Sequence, residues 1–341
     1  MTILLLILAV GHRTHATVLW AGGEDIDFPA GANICVSTNA SAFRAGYARE
    51  ALTPCQSGDF LISNTFSGGA VTSAWLSARV YPASCCNNGD HFLGLAKSGT
   101  NSSLWVGTSN SSSTQVALWK YDGSTWTMLA NESGSSLTTY AINKFDMQVL
   151  NYGSSSTVNV FVNGSSTARI TYTGNSVAGT ATSLDEVALS GYANDYVSEV
   201  IVSDSDTRAL SLVTLAPSAA GDTSQWTGSY SNINPTTIND ASVISDANSG
   251  DVFQCQMNSL PSGSFSIVGL KIGVRATKSS SGIGSLSIGV KTNSTASNPT
   301  AVGLSSSWAE AETYYSTNPV TSTSWTSTDI NALQISLQSA P

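Results

Sequence analysis

Residues 157–172 read TVNVFVNGSSTARITY, and this stretch decides the fold class. Val158, Val160 and Val162 recur with a period of two, which places them on one face of a strand. Asn163-Gly164 is the dipeptide favoured where a tight hairpin turn needs positive φ. Ala168, Ile170 and Tyr172 then alternate on the return strand. Just upstream, FDMQVLN over 145–151 puts Phe145, Met147 and Val149 on one face. Working outward, Val71 to Tyr81, His91 to Lys97, Leu104 to Thr108 and Gln115 to Tyr121 read as short strands. So do Leu184 to Leu189 and Tyr196 to Val202. Gly, Asn and Ser clusters separate these runs about every ten residues, as in a β-sandwich. No stretch carries a helical period beyond about two turns.

The same pattern resumes after a connector at Arg208 to Pro217. Asp251 to Met257, Ser264 to Ala276 and Gly284 to Lys291 read as strands, with Val268, Leu270, Ile272 and Val274 sharing a face. A helical turn is expected near Thr328, with Asp329 at its start. No fixed-period repeat is present.

Composition supports an all-β exterior protein. The 341 residues carry 13 Lys and Arg against 22 Asp and Glu, a net charge of −9. Only 10% are charged, against about 25% in an average domain. The 41% apolar content excludes disorder. A pI near 4.6 offers phosphates no basic field, so nucleic acid is not an expected partner.

The N-terminal run Ile3 to Val10 is too short to span a bilayer. It fits the apolar core of a signal peptide with Thr14-His15-Ala16 as cleavage site, but the basic Arg13 lies on the wrong side. A buried strand, an anchoring arm or an upstream start codon are the alternatives. Five cysteines are present: Cys35, Cys55, Cys85, Cys86 and Cys255. The first four are disulfide candidates with three possible pairings; adjacent Cys85 and Cys86 are poorly placed to bond each other, but either can reach Cys35 or Cys55. Cys255 is left as a buried thiol or an intermolecular bridge. Five buried, unbonded thiols are the alternative.

The NG hairpin, its preceding FDMQVLN strand and the closing DEVALSG and YVSEVIVS strands resemble the laminin-G-like members of the concanavalin A-like jelly-roll superfamily. That resemblance covers roughly residues 17–205. Residues 198–228, SEVIVSDSDTRALSLVTLAPSAAGDTSQWTG, with the later INDAS, SGDVF and DINALQISL segments, resemble bacteriophage and prophage structural proteins. In those a laminin-G-like domain precedes a second β-rich domain. The two resemblances imply a jelly-roll domain at 17–208 and a smaller β-sandwich domain at 209–341; the apolar segment at 1–16, arm or signal-like, departs from them. They also imply calcium as the one cofactor to look for, held by oxygen-rich loops at Asp25, Asp27 and Asp90; Asp204 with Asp206 is a further such loop.

Catalytic patterns are sparse. Glycoside hydrolases of this superfamily carry Glu-x-Asp-x-x-Glu, and Glu24-Asp25-Ile26-Asp27 lacks that spacing. Asp185 and Glu186 fall on opposite faces of a strand. Three histidines and no G-x-S-x-G elbow leave no nucleophilic triad. Cys85, Cys86, Asp90 and His91 cluster, yet adjacent thiols do not suit zinc. Aromatic residues in loops are the better candidates, since a flat ring stacks on the apolar face of a sugar. Tyr121 to Trp126 reads as a hairpin tip presenting Trp126, and Tyr192 and Tyr196 flank another turn.

The expectation is a non-enzymatic virion protein on the particle exterior, decorating the head or associated with the tail or a vertex. Its expected partners are major capsid or tail proteins, further copies of itself as a trimer or lattice, and host-surface glycans. The alternative is a secreted carbohydrate-binding protein or glycosidase of the same fold.

Overall fold

The computed structural model describes residues 2–10, 17–31, 33–56, 58–82, 88–100, 102–190, 195–279 and 282–341, with backbone alone for 2–10 and 30–31. Cys85, Cys86 and Tyr192, together with the Thr14-His15-Ala16 motif, lie outside the described residues. The fold is all-β and divides into two compact units. One is His15–Leu210; the other is Ser211–Pro341 together with the Thr2–Val10 strand.

The first unit is a jelly-roll sandwich of two antiparallel sheets. A seven-stranded sheet runs in the order Trp126–Asn131, Ser112–Tyr121, Ser102–Ser109, His91–Lys97, Glu186–Ser190, Phe60–Ile62, Ala30–Gly31. The eight-stranded sheet runs Ile170–Gly174, Ser156–Val162, Asn143–Leu150, Ala74–Pro82, Asp195–Ser203, Ala51–Pro54, Ile34–Ser37, and Val18–Gly22 also pairs with Asp195–Ser203. Side chains of period two from both sheets fill one core: Phe145, Met147, Val158 and Val160 from one, Leu95, Leu104, Val106 and Leu118 from the other. Asn163 and Gly164 turn with φ of 54° and 72°, the conformation that this dipeptide tolerates. The ladder resumes only at Val160↔Ile170, so the hairpin loop is longer than two residues.

A bulge interrupts Asp195–Ser203 between Ser198 and Ile201. Glu199 sits there at φ 52°. Its buried carboxylate is held by Arg44 and by Arg79, the latter at 3.1 Å. Cys35 and Cys55 are bonded, joining edge strand Ile34–Ser37 to the end of its neighbour. Cys255 is a buried free thiol, which burial pushes up to about 12.

The second unit has a four-stranded sheet in the order Leu210–Leu215, Thr2–Val10, Ser266–Ala276, Ala309–Tyr315. The Thr2–Val10 backbone pairs from Thr2↔Arg275 to Val10↔Ser266. Its other sheet has six strands, centred on Val252–Met257, Gln334–Ala340 and Ser285–Thr292. Tyr315 Oη donates to the Ile288 carbonyl at 2.9 Å and ties the two sheets. The expected helical turn is Ser327–Asn331, capped by Thr326, whose side chain accepts from the Asp329 amide.

Candidate functional site

The outer face of the seven-stranded sheet, away from the core, carries the candidate site. Along Ser102–Ser109, Leu104 and Val106 point inward and Trp105 points outward. Trp119 and Ala188 do the same between inward Leu118 and between Val187 and Leu189. The outward residues form an aromatic cluster of Trp105, Trp119, Phe60, Tyr121 and Trp126. Ring centroids are 5.4 Å apart for Phe60–Trp105, 5.6 Å for Phe60–Tyr121 and 4.5 Å for Tyr121–Trp126. Gly94 leaves room for this packing, since a Cβ there would lie 2.6 Å from the Trp105 ring.

A groove of about 240 Å³ opens beside this cluster, between the walls of Phe60, Trp105 and Tyr121 and the polar groups of Ser103, Lys97 and Glu186. Small Ala96 and Ala188 form its floor. Lys97 is fixed by an ion pair with Asp185. Burial works against the Asp185 charge, but hydrogen bonds from Lys97 and Ser98 outweigh it and hold the carboxyl below its usual range. Half-buried Glu186 makes no side-chain hydrogen bond among the described residues, though its backbone pairs opposite Ala96. Burial first, and the Asp185 charge second, raise its carboxyl above the usual range. The groove therefore joins flat apolar faces to an acceptor without an internal partner, a pairing suited to a polyhydroxylated ring.

The expected site residues separate in the fold. Tyr121 lines the groove. Trp126 is not presented at a tip: the turn is made by Asp122 to Thr125, whose amides at Ser124 and Thr125 bond Asp122 at 2.9 and 2.8 Å. Trp126 follows it, half-buried between Tyr121 and His91, because the Tyr121↔Trp126 register stacks their rings. Tyr196 lies on the other sheet, packed with Tyr81 against Phe43 and Ala51. Asp27 turns inward to accept the Gly23 and Glu24 amides at 2.8 and 3.0 Å. Asp25 is buried in the short turn Asp25–Asp27. Asp90 lies buried at the start of His91–Lys97 in the seven-stranded sheet, its amide donating to Thr108 Oγ1 at 2.8 Å. Among the described residues no three His, Cys, Asp or Glu converge as metal ligands.

Phe60, Trp105 and Glu186 were not anticipated. Phe60 comes from a three-residue strand too short to show a period. Trp105 and Trp119 carried a signal, an off-core aromatic within an inward-facing apolar alternation.

No protein-family model matches the sequence, and neither does any curated protein. Solved structures give partial likenesses. Domain 4 of the extracellular arabinanase AbnA from Geobacillus stearothermophilus, in complex with arabinotriose, is 15% identical over 54% of this chain and 81% of its own, at a TM-score of 0.33. Carbohydrate-binding module CBM66 from Bacillus subtilis is 5% identical over 51% and 93%, at 0.34. The CBM2 module of the evolved Dit of Lactobacillus casei BL23 phage J-1 is 15% identical over 59% and 98%, at 0.33. The fold assignment rests on the strand pairing itself.

Proposed function

We propose that this chain is a non-enzymatic glycan-binding protein of a bacteriophage virion exterior, and that the groove beside Tyr121 is where the glycan sits. One observation carries the binding role: Glu186 offers an acceptor without an internal hydrogen bond to a groove walled by Phe60, Trp105 and Tyr121. Ring stacking would supply contact area, and Glu186, Ser103 and Lys97 would fix the hydroxyls. Binding is preferred to hydrolysis because Asp185, the neighbouring carboxylate, is committed to Lys97 and Ser98, whereas glycoside hydrolysis asks for two working carboxyl groups. The virion role rests on the sequence resemblance at 198–228. It carries with it contact to major capsid or tail proteins and symmetric self-association as a trimer or lattice.

The second reading is a secreted carbohydrate-binding protein; the Cys35–Cys55 disulfide suits its oxidising surroundings as it suits those of a virion exterior. Titration of a glycan panel against wild type, Tyr121→Ala and Glu186→Gln tests the site. At least a tenfold loss of affinity in each variant, about 1.4 kcal/mol, is expected. Unchanged affinity in both would remove the groove as the site. Mass spectrometry of purified virions, quantifying this chain against the capsid protein, separates the two readings. Its absence from particles, with a chain starting near Thr17 in the medium, would leave the secreted one.

A further inference from the structure

The second unit holds a cavity that the groove above does not use. It encloses about 320 Å³ and is lined by Trp226, Ile244, Asp246, Lys278, Leu286 and Trp308, among others. All of these residues belong to the Ser211–Pro341 part of one unit.

Its walls are held in place by specific contacts. The Trp226 indole N–H donates to the Asp251 carbonyl at 3.1 Å, and its ring leans on Phe253 at 6.2 Å. The bridge Thr227↔Ser245 sets Ile244 and Asp246 opposite. Gly228 allows that approach at φ 101°, and a Cβ there would lie 3.0 Å from Ile244. Asp246 accepts from Ser339 Oγ and, at 3.3 Å, from the Asn248 amide. The second indole, Trp308, is half-buried, with the Arg275 guanidinium 5.7 Å from its ring and that guanidinium paired to Asp240 at 2.9 Å.

Lys278 and Asp246 are the charged residues of the lining. The chain has six lysines. Four ammonium groups pair with carboxylates: Lys97, Lys144, Lys271 and Lys291. Lys120 donates to a carbonyl at 3.4 Å. The Lys278 ammonium alone has no partner among the described residues; only its backbone amide is bonded, to Ser305. Among the described residues, a chain with a net charge of −9 thus leaves one lysine ammonium without a partner, and does so at a cavity walled by two indoles.

We propose that this cavity is a second, independent binding site for an acidic sugar unit of the uronic acid class. The indole rings would take the apolar face of the pyranose. Lys278 would pair with the carboxylate, and Asp246 would accept a ring hydroxyl. An ammonium half-exposed at the rim is screened by salt, so affinity is expected to weaken as ionic strength rises.

The test uses the full chain carrying Tyr121→Ala, which disables the jelly-roll groove and keeps the two sites separate. Cellobiouronic acid and digalacturonic acid are titrated calorimetrically, with cellobiose and galactobiose as neutral counterparts. At least one acidic disaccharide is expected to bind at least tenfold more tightly than its neutral counterpart. Lys278→Gln should abolish that preference, and Trp308→Ala should weaken binding at least tenfold. Circular dichroism melts check that both variants fold, and Lys278→Gln, at a half-exposed position, tests the charge requirement without touching the core. Binding of neither acid, equal affinity for acid and neutral sugar, or indifference to Lys278→Gln would each overturn the proposal.

Discussion

The Trp126 indole lies flat against the His91 imidazole, with ring centroids 3.4 Å apart and planes 14° apart. Trp119 meets the same imidazole edge-on at 4.9 Å. Burial in this stack holds His91 down to about 3, from an ordinary value of 6.5. Between those two values the unfolded chain binds the extra proton. The stability tied to His91 is therefore complete above pH 6.5 and is lost as pH falls toward 3. His91→Phe keeps a flat ring and has no proton to take up. Between about pH 7 and 4, the melting temperature of His91→Phe is expected to fall less than that of wild type. Parallel curves would show that other groups carry the acid sensitivity.

Glu24 and Glu50 act in the opposite direction. Burial, reinforced by neighbouring carboxylates, raises them to about 8 and about 10 from an ordinary 4.5. Glu50 Oε1 accepts the Asp25 amide at 2.7 Å, while its Oε2 is buried without a hydrogen bond. The folded state holds protons that the unfolded state has released. The associated stability is full below pH 4.5 and is lost as pH rises through 8 to 10. Glu50→Gln retains the acceptor and removes the titration. Wild type is expected to melt progressively lower from about pH 6 to 9, with a shallower slope in the variant. Equal slopes would assign the alkaline loss elsewhere.

The fold was more legible than the site, for a physical reason. Phe145, Met147 and Val149, and Val158, Val160 and Val162, announce their strands because each sheet has one face in the core, which imposes a period of two. Asn163 announces its turn because few residues tolerate positive φ. The run Ile3 to Val10 did not distinguish itself from a signal-peptide core. A strand between two neighbours in a sheet reads as continuous apolar sequence, and so does that core. The groove is assembled by strand order: Phe60, Lys97, Trp105 and Glu186 meet because Glu186–Ser190 inserts between Phe60–Ile62 and His91–Lys97. Nothing local in the chain encodes that insertion. The alternation did place Asp185 and Glu186 on opposite faces, but not which of them would face a groove.

Gly94 tests the coupling between backbone and aromatic cluster. It faces outward between inward Leu93 and Leu95, and an added Cβ would lie 2.6 Å from the Trp105 ring and 2.7 Å from the Leu104 carbonyl. The ring has little space to yield, being packed at 5.4 Å from Phe60 and 5.5 Å from Trp126. Gly94→Ala is expected to cost about 1–3 kcal/mol, the usual penalty for overpacking. It should also displace Trp105 into the groove and reduce glycan affinity. Denaturant unfolding and the same glycan titration check both effects. Wild-type stability with wild-type affinity would mean that the Trp105 position is not set by Gly94.

The Cys35–Cys55 bond fastens an edge strand that has few other constraints. Among the described residues Ile34–Ser37 pairs with Ala51–Pro54 alone, over four residues, and all four of its own residues are only partly buried. The bond closes a loop with a sequence separation of 20. Loop-closure entropy for a span of that order contributes roughly 3 kcal/mol through the unfolded state. Replacing both cysteines by serine should therefore lower the melting temperature of the jelly-roll unit by roughly 6–12 °C. Reduction of the wild type should reproduce the shift, and hydrogen exchange should speed first in residues 34–37 and 51–54. The aromatic groove contains none of these residues, so glycan affinity at low temperature is expected to survive. Loss of affinity together with the disulfide would mean that the edge strand and the groove unfold as one cooperative element.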